Sequence, residues 1–157
     1  MHEQDLYWMQ QALLLAEKAN QINEVPVGAL IVKNNEVIGE GYNRPITDHD
    51  PTAHAEICAL RAAAQTVQNY RMPGTTMYIT IEPCSMCLGA IIHARIDRLV
   101  FGALEPKAGV LQSNPELISS GIFNHSLEWT GGVLAEECTA IIQQFFQRRR
   151  REKKENR

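Results

Sequence analysis

The sequence predicts an α/β fold with a sheet that is at least partly parallel, on three observations. Residues 75–103 run strand, helix, strand at the spacing of a βαβ unit. Apolar residues recur at helical steps near both ends of the chain. Two apolar runs hinged on Asn34-Asn35 read as a hairpin, because asparagine tolerates the backbone a tight turn requires.

Taken in order, Leu6, Met9, Leu13 and Ala16 recur at helical spacing and make residues 4–20 an amphipathic first helix. "VPVGALIVKNNEVIGEGYN" supplies the hairpin, and the alanine-rich "HAEICALRAAAQTV" returns to helix. "TTMYITI" alternates threonine with aromatic and β-branched residues, the pattern of a buried strand, and stops at Pro83. "SMCLGAIIHAR" reads as a short helix and "DRLVFGA" as the strand that completes the βαβ unit. Residues 105–125 are rich in Gly, Pro, Ser and Asn and read mostly as loop. Leu134, Cys138, Ile141 and Phe145, at steps of four, three and four, mark a last helix that runs into the arginines. There is no internal repeat and no linker long enough to divide the chain, so 1–157 is expected to be a single domain with a basic helix end and tail at about 148–157.

Composition narrows the class. A chain of 157 residues with 45% hydrophobic content can bury one good core and is short for two ordinary domains. No segment approaches the roughly 18 uninterrupted apolar residues of a membrane span, and the N-terminus lacks a basic start followed by an apolar run. Four cysteines, two of them in a Cys-x-x-Cys pair, do not resemble a secreted disulfide scaffold. A soluble protein of the reducing cytoplasm, with no membrane partner, is expected. The net charge of −3 conceals an asymmetry: residues 148–157 carry seven basic and two acidic side chains, leaving eight basic and sixteen acidic in residues 1–147. The basic run suits phosphate contact, and equally suits a solvated helix end.

The chemistry concentrates in "PTAHAEICAL" and "TIEPCSMCLGAIIHAR". His54, Cys84 and Cys87 offer imidazole nitrogen and thiolate sulfur, the donors zinc prefers, and three such ligands leave a tetrahedron incomplete. Both cysteines fall at the start of a helix, where unpaired N–H groups and the helix dipole favour thiolate. A zinc with an open position lowers the pKa of water to about 7. Glu56, two residues past His54, is a carboxylate free to carry a proton to a substrate ring nitrogen and then to a departing amine. Other readings stand beside this one. Cys84 and Cys87 could be a redox pair, and Cys58, four residues after His54, could close the tetrahedron into a structural knot. Cys138 belongs to the apolar stripe of the last helix. His49, His93 and His125 have no partner at ligand spacing.

"HAE" followed by "PCSMC" resembles the zinc-dependent cytidine and deoxycytidylate deaminase superfamily. With "EVPVGALIV", "GEGYNRP", "DPTAHAEI", "NYR" and "VFGA", the likeness extends over nearly the whole chain to the tRNA-specific adenosine deaminases. The resemblance implies a cytidine-deaminase-like three-layer α/β/α fold with a central five-stranded mixed sheet, one Zn2+ per chain and a homodimer. It also implies hydrolytic deamination of adenosine to inosine at wobble position 34 of an arginine tRNA with an ACG anticodon, so that one tRNA reads several codons. His54, Cys84 and Cys87 would hold the metal and Glu56 would shuttle the proton. Asn43 matches the asparagine that touches the flipped nucleoside, and Val27, Pro45 and Ile46 match the walls around the base. Glu105 stands where an aspartate commonly lies beside an RNA sugar and is one methylene longer. Phe145, Phe146 and Arg148 match the helix that meets the anticodon stem-loop, although the stripe alone reads Phe145 as core. A deaminase of a free base or nucleoside, such as guanine or cytidine, is the nearest rival, and a noncatalytic zinc-stabilised RNA-binding module the next.

Overall fold

The hairpin turn is built by its two asparagines. In the computed structural model, which describes residues 2–156, Asn34 and Asn35 adopt left-handed backbone with φ of 51° and 64°. Two such residues make the turn type whose twist matches that of the strands it joins. It folds β1 (Gly28–Lys33) against β2 (Glu36–Tyr42) in antiparallel register, Lys33 opposite Glu36.

β1 pairs on its other side with β3 (Thr76–Ile81), again antiparallel. The expected βαβ unit follows: α3 (Ser85–His93) carries the chain to β4 (Arg98–Ala103), parallel to β3 with Ile81 opposite Ala103. A three-residue strand, β5 (Glu128–Thr130), extends the parallel part, giving a five-stranded mixed sheet in the order β2-β1-β3-β4-β5. Three residues show no periodicity, which is why the sequence alone located four strands. The 105–125 segment is loop apart from a single helical turn, α4 (Glu116–Ser119).

Strand alternation sorts the core into two layers. One face of the sheet, with Ala29, Ile31, Met77, Ile79, Leu99 and Phe101, receives α2 (Ala55–Val67) and α3. The opposite face, with Leu30, Val32, Tyr78 and Val100, receives α1 (Glu3–Gln21) and α5 (Ala135–Glu155). Successive strand residues point to opposite faces, so each apolar strand feeds both layers. The helices approach closely where glycine leaves room: a Cβ on Gly41 would lie 2.4 Å from the Ala55 carbonyl oxygen, so the first turn of α2 is pressed onto β2.

Two details differ from the sequence expectation. The buried face of α1 is Trp8, Met9, Ala12, Leu15, Ala16 and Ala19 together with Asp5, while Leu6 is 42% exposed. The stripe is rotated because Asp5 is drawn inward, where its carboxylate accepts hydrogen bonds from Arg98 and the Tyr78 hydroxyl. Leu134 precedes α5 as its cap residue, with φ of 53°. Among the described residues no helix is long and apolar enough to cross a membrane.

Candidate metal centre

Two helix N-termini meet on one face of the sheet. His54 caps α2 and Cys84 caps α3, both with extended backbone, and Cys87 lies in the first turn of α3. Pro83 ends β3 and turns the chain into that cap. The His54 Nδ1 is 3.6 Å from Cys84 Sγ and 3.4 Å from Cys87 Sγ. Tetrahedral zinc, with Zn–N near 2.0 Å and Zn–S near 2.3 Å, separates such donors by about 3.6 Å. The three donors therefore fit one zinc ion per chain, and among the described residues they are the only such group.

Glu56, in the first turn of α2, is 3% exposed. Burial pushes its carboxyl up to about 7, with the Cys84 sulfur acting in the same direction and the His54 charge and the hydrogen bond from Cys87 acting against it. The Cys84 thiol is drawn down to about 4, first by the hydrogen bond from Cys87 and then by the His54 imidazole, against the effect of burial. Cys87 is pushed up by its hydrogen bond to Cys84 and by burial. A coordinated dication reverses that last direction, because coordination deprotonates a thiol outright. Two positive helix ends aimed at the sulfurs favour the same outcome.

Cys58 does not join the cluster. Its Cβ packs over Gly41, on the β2 side of α2, because His54 precedes the regular helix and the four-residue spacing places the two side chains on different faces. Cys138 is buried against Gly102 in the opposite layer. His125 bonds the Ile96 carbonyl at 2.9 Å, and His49 and His93 are exposed.

Asn43 reaches the centre from the loop after β2: its Oδ1 accepts the Ala55 N–H at 2.9 Å, capping α2 beside His54. It also lines a cavity of about 340 Å3 shared with Pro45, Ile46, Phe145, Phe146 and Arg149. Ile46 and Phe146 are 69% and 44% exposed, whereas Phe145 is buried and packs edge-to-face on Phe146. Val27 is buried in the core, its carbonyl accepting the Asn43 N–H. Glu105 accepts a hydrogen bond from the Lys107 N–H in the loop after β4. Arg148 is already engaged, donating to Asn20, Asn23 and Glu152 and lying over the Phe145 ring.

Three participants escaped sequence reading. Arg149 rather than Arg148 faces the cavity, a matter of helical register that a run of four arginines cannot express. Glu24, buried, accepts from the Thr47 N–H and hydroxyl, each at 2.7 Å, and so holds the loop that carries Pro45 and Ile46. Glu82, two residues before Cys84, is buried within a ring of N–H donors. The only sequence signal for Glu24 and Glu82 is a carboxylate set among apolar neighbours.

The family model of the cytidine and deoxycytidylate deaminase zinc-binding region matches residues 2–103. The chain is 52% identical over 153 residues to a tRNA-specific adenosine deaminase of Haemophilus influenzae, covering 97% of this chain and 88% of that one. It superposes with a TM-score of 0.83 and 38% identity on a solved structure from work on A-to-I editing by tRNA:A34 deaminases, covering 86% of this chain and 98% of that one. A guanine deaminase from Nitrosomonas europaea aligns with a TM-score of 0.73, 22% identity and 87% and 81% coverage, a likeness of fold alone.

Proposed function

The chain belongs to the cytidine and deoxycytidylate deaminase family, among its tRNA-specific adenosine deaminases, and from that premise we propose that it deaminates adenosine to inosine at wobble position 34 of the arginine tRNA with an ACG anticodon. The observation that carries the chemistry is the open three-donor cluster beside a buried carboxylate. Likeness to tRNA-specific adenosine deaminases over 97% of the chain supports the choice of substrate. Residues 1–157 act as one deaminase domain, in the cytoplasm, as a homodimer. Tyr70, 70% exposed beside an apolar groove between α2 and α3, supports a face for the second copy.

In this reading His54, Cys84 and Cys87 hold zinc, which when bound supplies the Lewis acidity that brings the pKa of water to about 7. Glu56 takes the proton of the attacking water and delivers it to N1 of adenine, making C6 the better electrophile. The same carboxylate then carries a proton to the amine that leaves C6, so adenosine and water become inosine and ammonia. Burial raises the Glu56 pKa above that of an ordinary carboxylate, which helps one group both accept and donate a proton. Asn43, held by its bond to Ala55, presents its amide NH2 to the nucleoside, and Val27, Pro45 and Ile46 back the base. Phe146, exposed and backed by the buried Phe145, meets the anticodon loop, where bases are already unstacked and cheap to deliver. The exposed arginines and lysines of α5 offset the acidity of the body by contacting phosphates, and Arg149 lines the same cavity as Asn43, which supports their lying on the substrate side.

The test is A-to-I conversion in an ACG-anticodon tRNA, read as A-to-G after reverse transcription. Wild type should convert position 34; Glu56→Ala should retain one zinc per chain and lose conversion. A zinc-loaded wild type that releases ammonia from guanine or cytidine and leaves the tRNA unchanged would overturn the proposal.

A further inference from the structure

Glu82 is 2% exposed and takes no part in the reaction just described. Its Oε1 accepts the Glu105 N–H at 3.1 Å and the Ser113 hydroxyl. Its Oε2 accepts three further N–H groups, from Leu111 at 3.0 Å, Gln112 at 2.8 Å and Ser113 at 2.9 Å. All five donors belong to the loop between β4 and α4, so one carboxylate gathers both ends of residues 105–113. The neighbouring backbone reinforces the tie: the Val110 N–H donates to the Pro83 carbonyl and the Glu82 N–H to the Ala103 carbonyl. The loop also closes over the carboxylate, for a Cβ on Gly109 would lie 2.4 Å from the Glu82 carboxyl carbon.

Position gives this anchor its meaning. β3 and β4 are parallel neighbours, so Cys84 and Glu105 emerge at the same, carboxyl, end of the sheet, where open α/β sheets place their ligands. We propose that Glu82 is a positioning residue that sets the loop carrying Glu105 at a fixed place beside the metal-binding turn, for contact with the substrate strand next to the reacting base. This rests on the deaminase reading above. A contact to the neighbouring sugar is made alike before and during reaction, so loosening it raises KM and leaves kcat nearly unchanged.

Glu82→Gln separates this from a role in folding alone. The amide keeps the shape but replaces one acceptor oxygen with an NH2, so at least one of the four backbone N–H groups then faces a donor, the Ser113 hydroxyl being able to turn and accept. Zinc-loaded full-length wild type and Glu82→Gln are compared for zinc per chain, amide hydrogen exchange, and kcat and KM on a synthetic anticodon stem-loop RNA. The expected result is unchanged zinc, exchange at 105 and 111–113 faster by about tenfold, KM raised about tenfold and kcat within about threefold. Combined with Glu105→Ala, the second substitution should add little. Gly109→Ala, which presses on the carboxylate from the loop side, should repeat the pattern and decides the matter if Glu82→Gln does not fold. Unchanged exchange, loss of zinc, or a fall in kcat at constant KM each overturns the proposal. If the wild type leaves the RNA unconverted, the deaminase reading fails, and exchange still decides whether Glu82 holds the loop.

Discussion

Replacing Asp5 by alanine should remove a large fraction of the stability of this protein. The Asp5 side chain is fully buried, and the Arg98 side chain that pairs with it is only 15% exposed, with a closest contact of 2.7 Å. A second Arg98 bond and the Tyr78 hydroxyl, both at 2.9 Å, complete the site. Breaking such a pair from one side leaves the other charge buried and costs about 3–5 kcal/mol, a large share of the 5–15 kcal/mol typical of a folded domain. At about 2–4 °C per kcal/mol for a chain of this size, the melting temperature should fall by about 6–20 °C. The effect carries a pH signature. Burial raises the Asp5 pKa, but the bonds from Arg98 and Tyr78 and the guanidinium charge outweigh it, so the folded-state pKa is lowered. A lowered folded pKa gives stability that is complete above the unfolded value of about 3.9 and is lost as pH falls through the folded value. The difference between wild type and Asp5→Ala, measured by urea denaturation from pH 7 downward, should therefore be constant to about pH 5 and shrink below pH 4. A difference under about 1 kcal/mol at pH 7, or one unchanged at pH 2, would refute the reasoning.

Cys58→Ala should leave zinc at one per chain and conversion unchanged, whereas Cys84→Ala should abolish metal binding; metal analysis of the two purified variants decides between an open and a closed site. Arg149→Ala should weaken RNA binding and reduce the salt dependence of log K by about one, while Arg148→Ala should chiefly lower the melting temperature, since its guanidinium ties α5 to α1. Equal salt slopes for the two would contradict that division. Gly28→Ala would set a Cβ against the Ala12 carbonyl oxygen and must displace α1; a loss of about 3 kcal/mol is expected by denaturation, at the upper end for overpacking because helix backbone rather than a flexible side chain has to move.

The chain's local chemistry was legible because it is written in short spacings. The Asn34-Asn35 turn, the βαβ unit and the three zinc donors each depend on neighbours within a few residues or on a residue type with one strong preference. Helical spacing also brought out Cys138 and Phe145 as core. Where the stripe failed, at Leu6, the reason was a partner 93 residues away: Arg98 draws Asp5 inward and rotates the face of α1. β5 left no trace because three residues of edge strand are specified by the parallel neighbour that receives them, not by their own alternation.

The sequence by itself determined the fold class, the family and the donor set, since ligand type, cap position and strand pattern are properties of residues and their near neighbours. Only the tertiary structure decided that Cys58 turns to β2, that Arg149 and not Arg148 faces the cavity, and that Glu24 and Glu82 each hold a loop of the site. Those facts depend on which faces meet when helices and strands pack. A buried carboxylate looks the same in sequence whether it lies beside a cluster of metal donors, as Glu56 does, or gathers five donors from a distant loop, as Glu82 does.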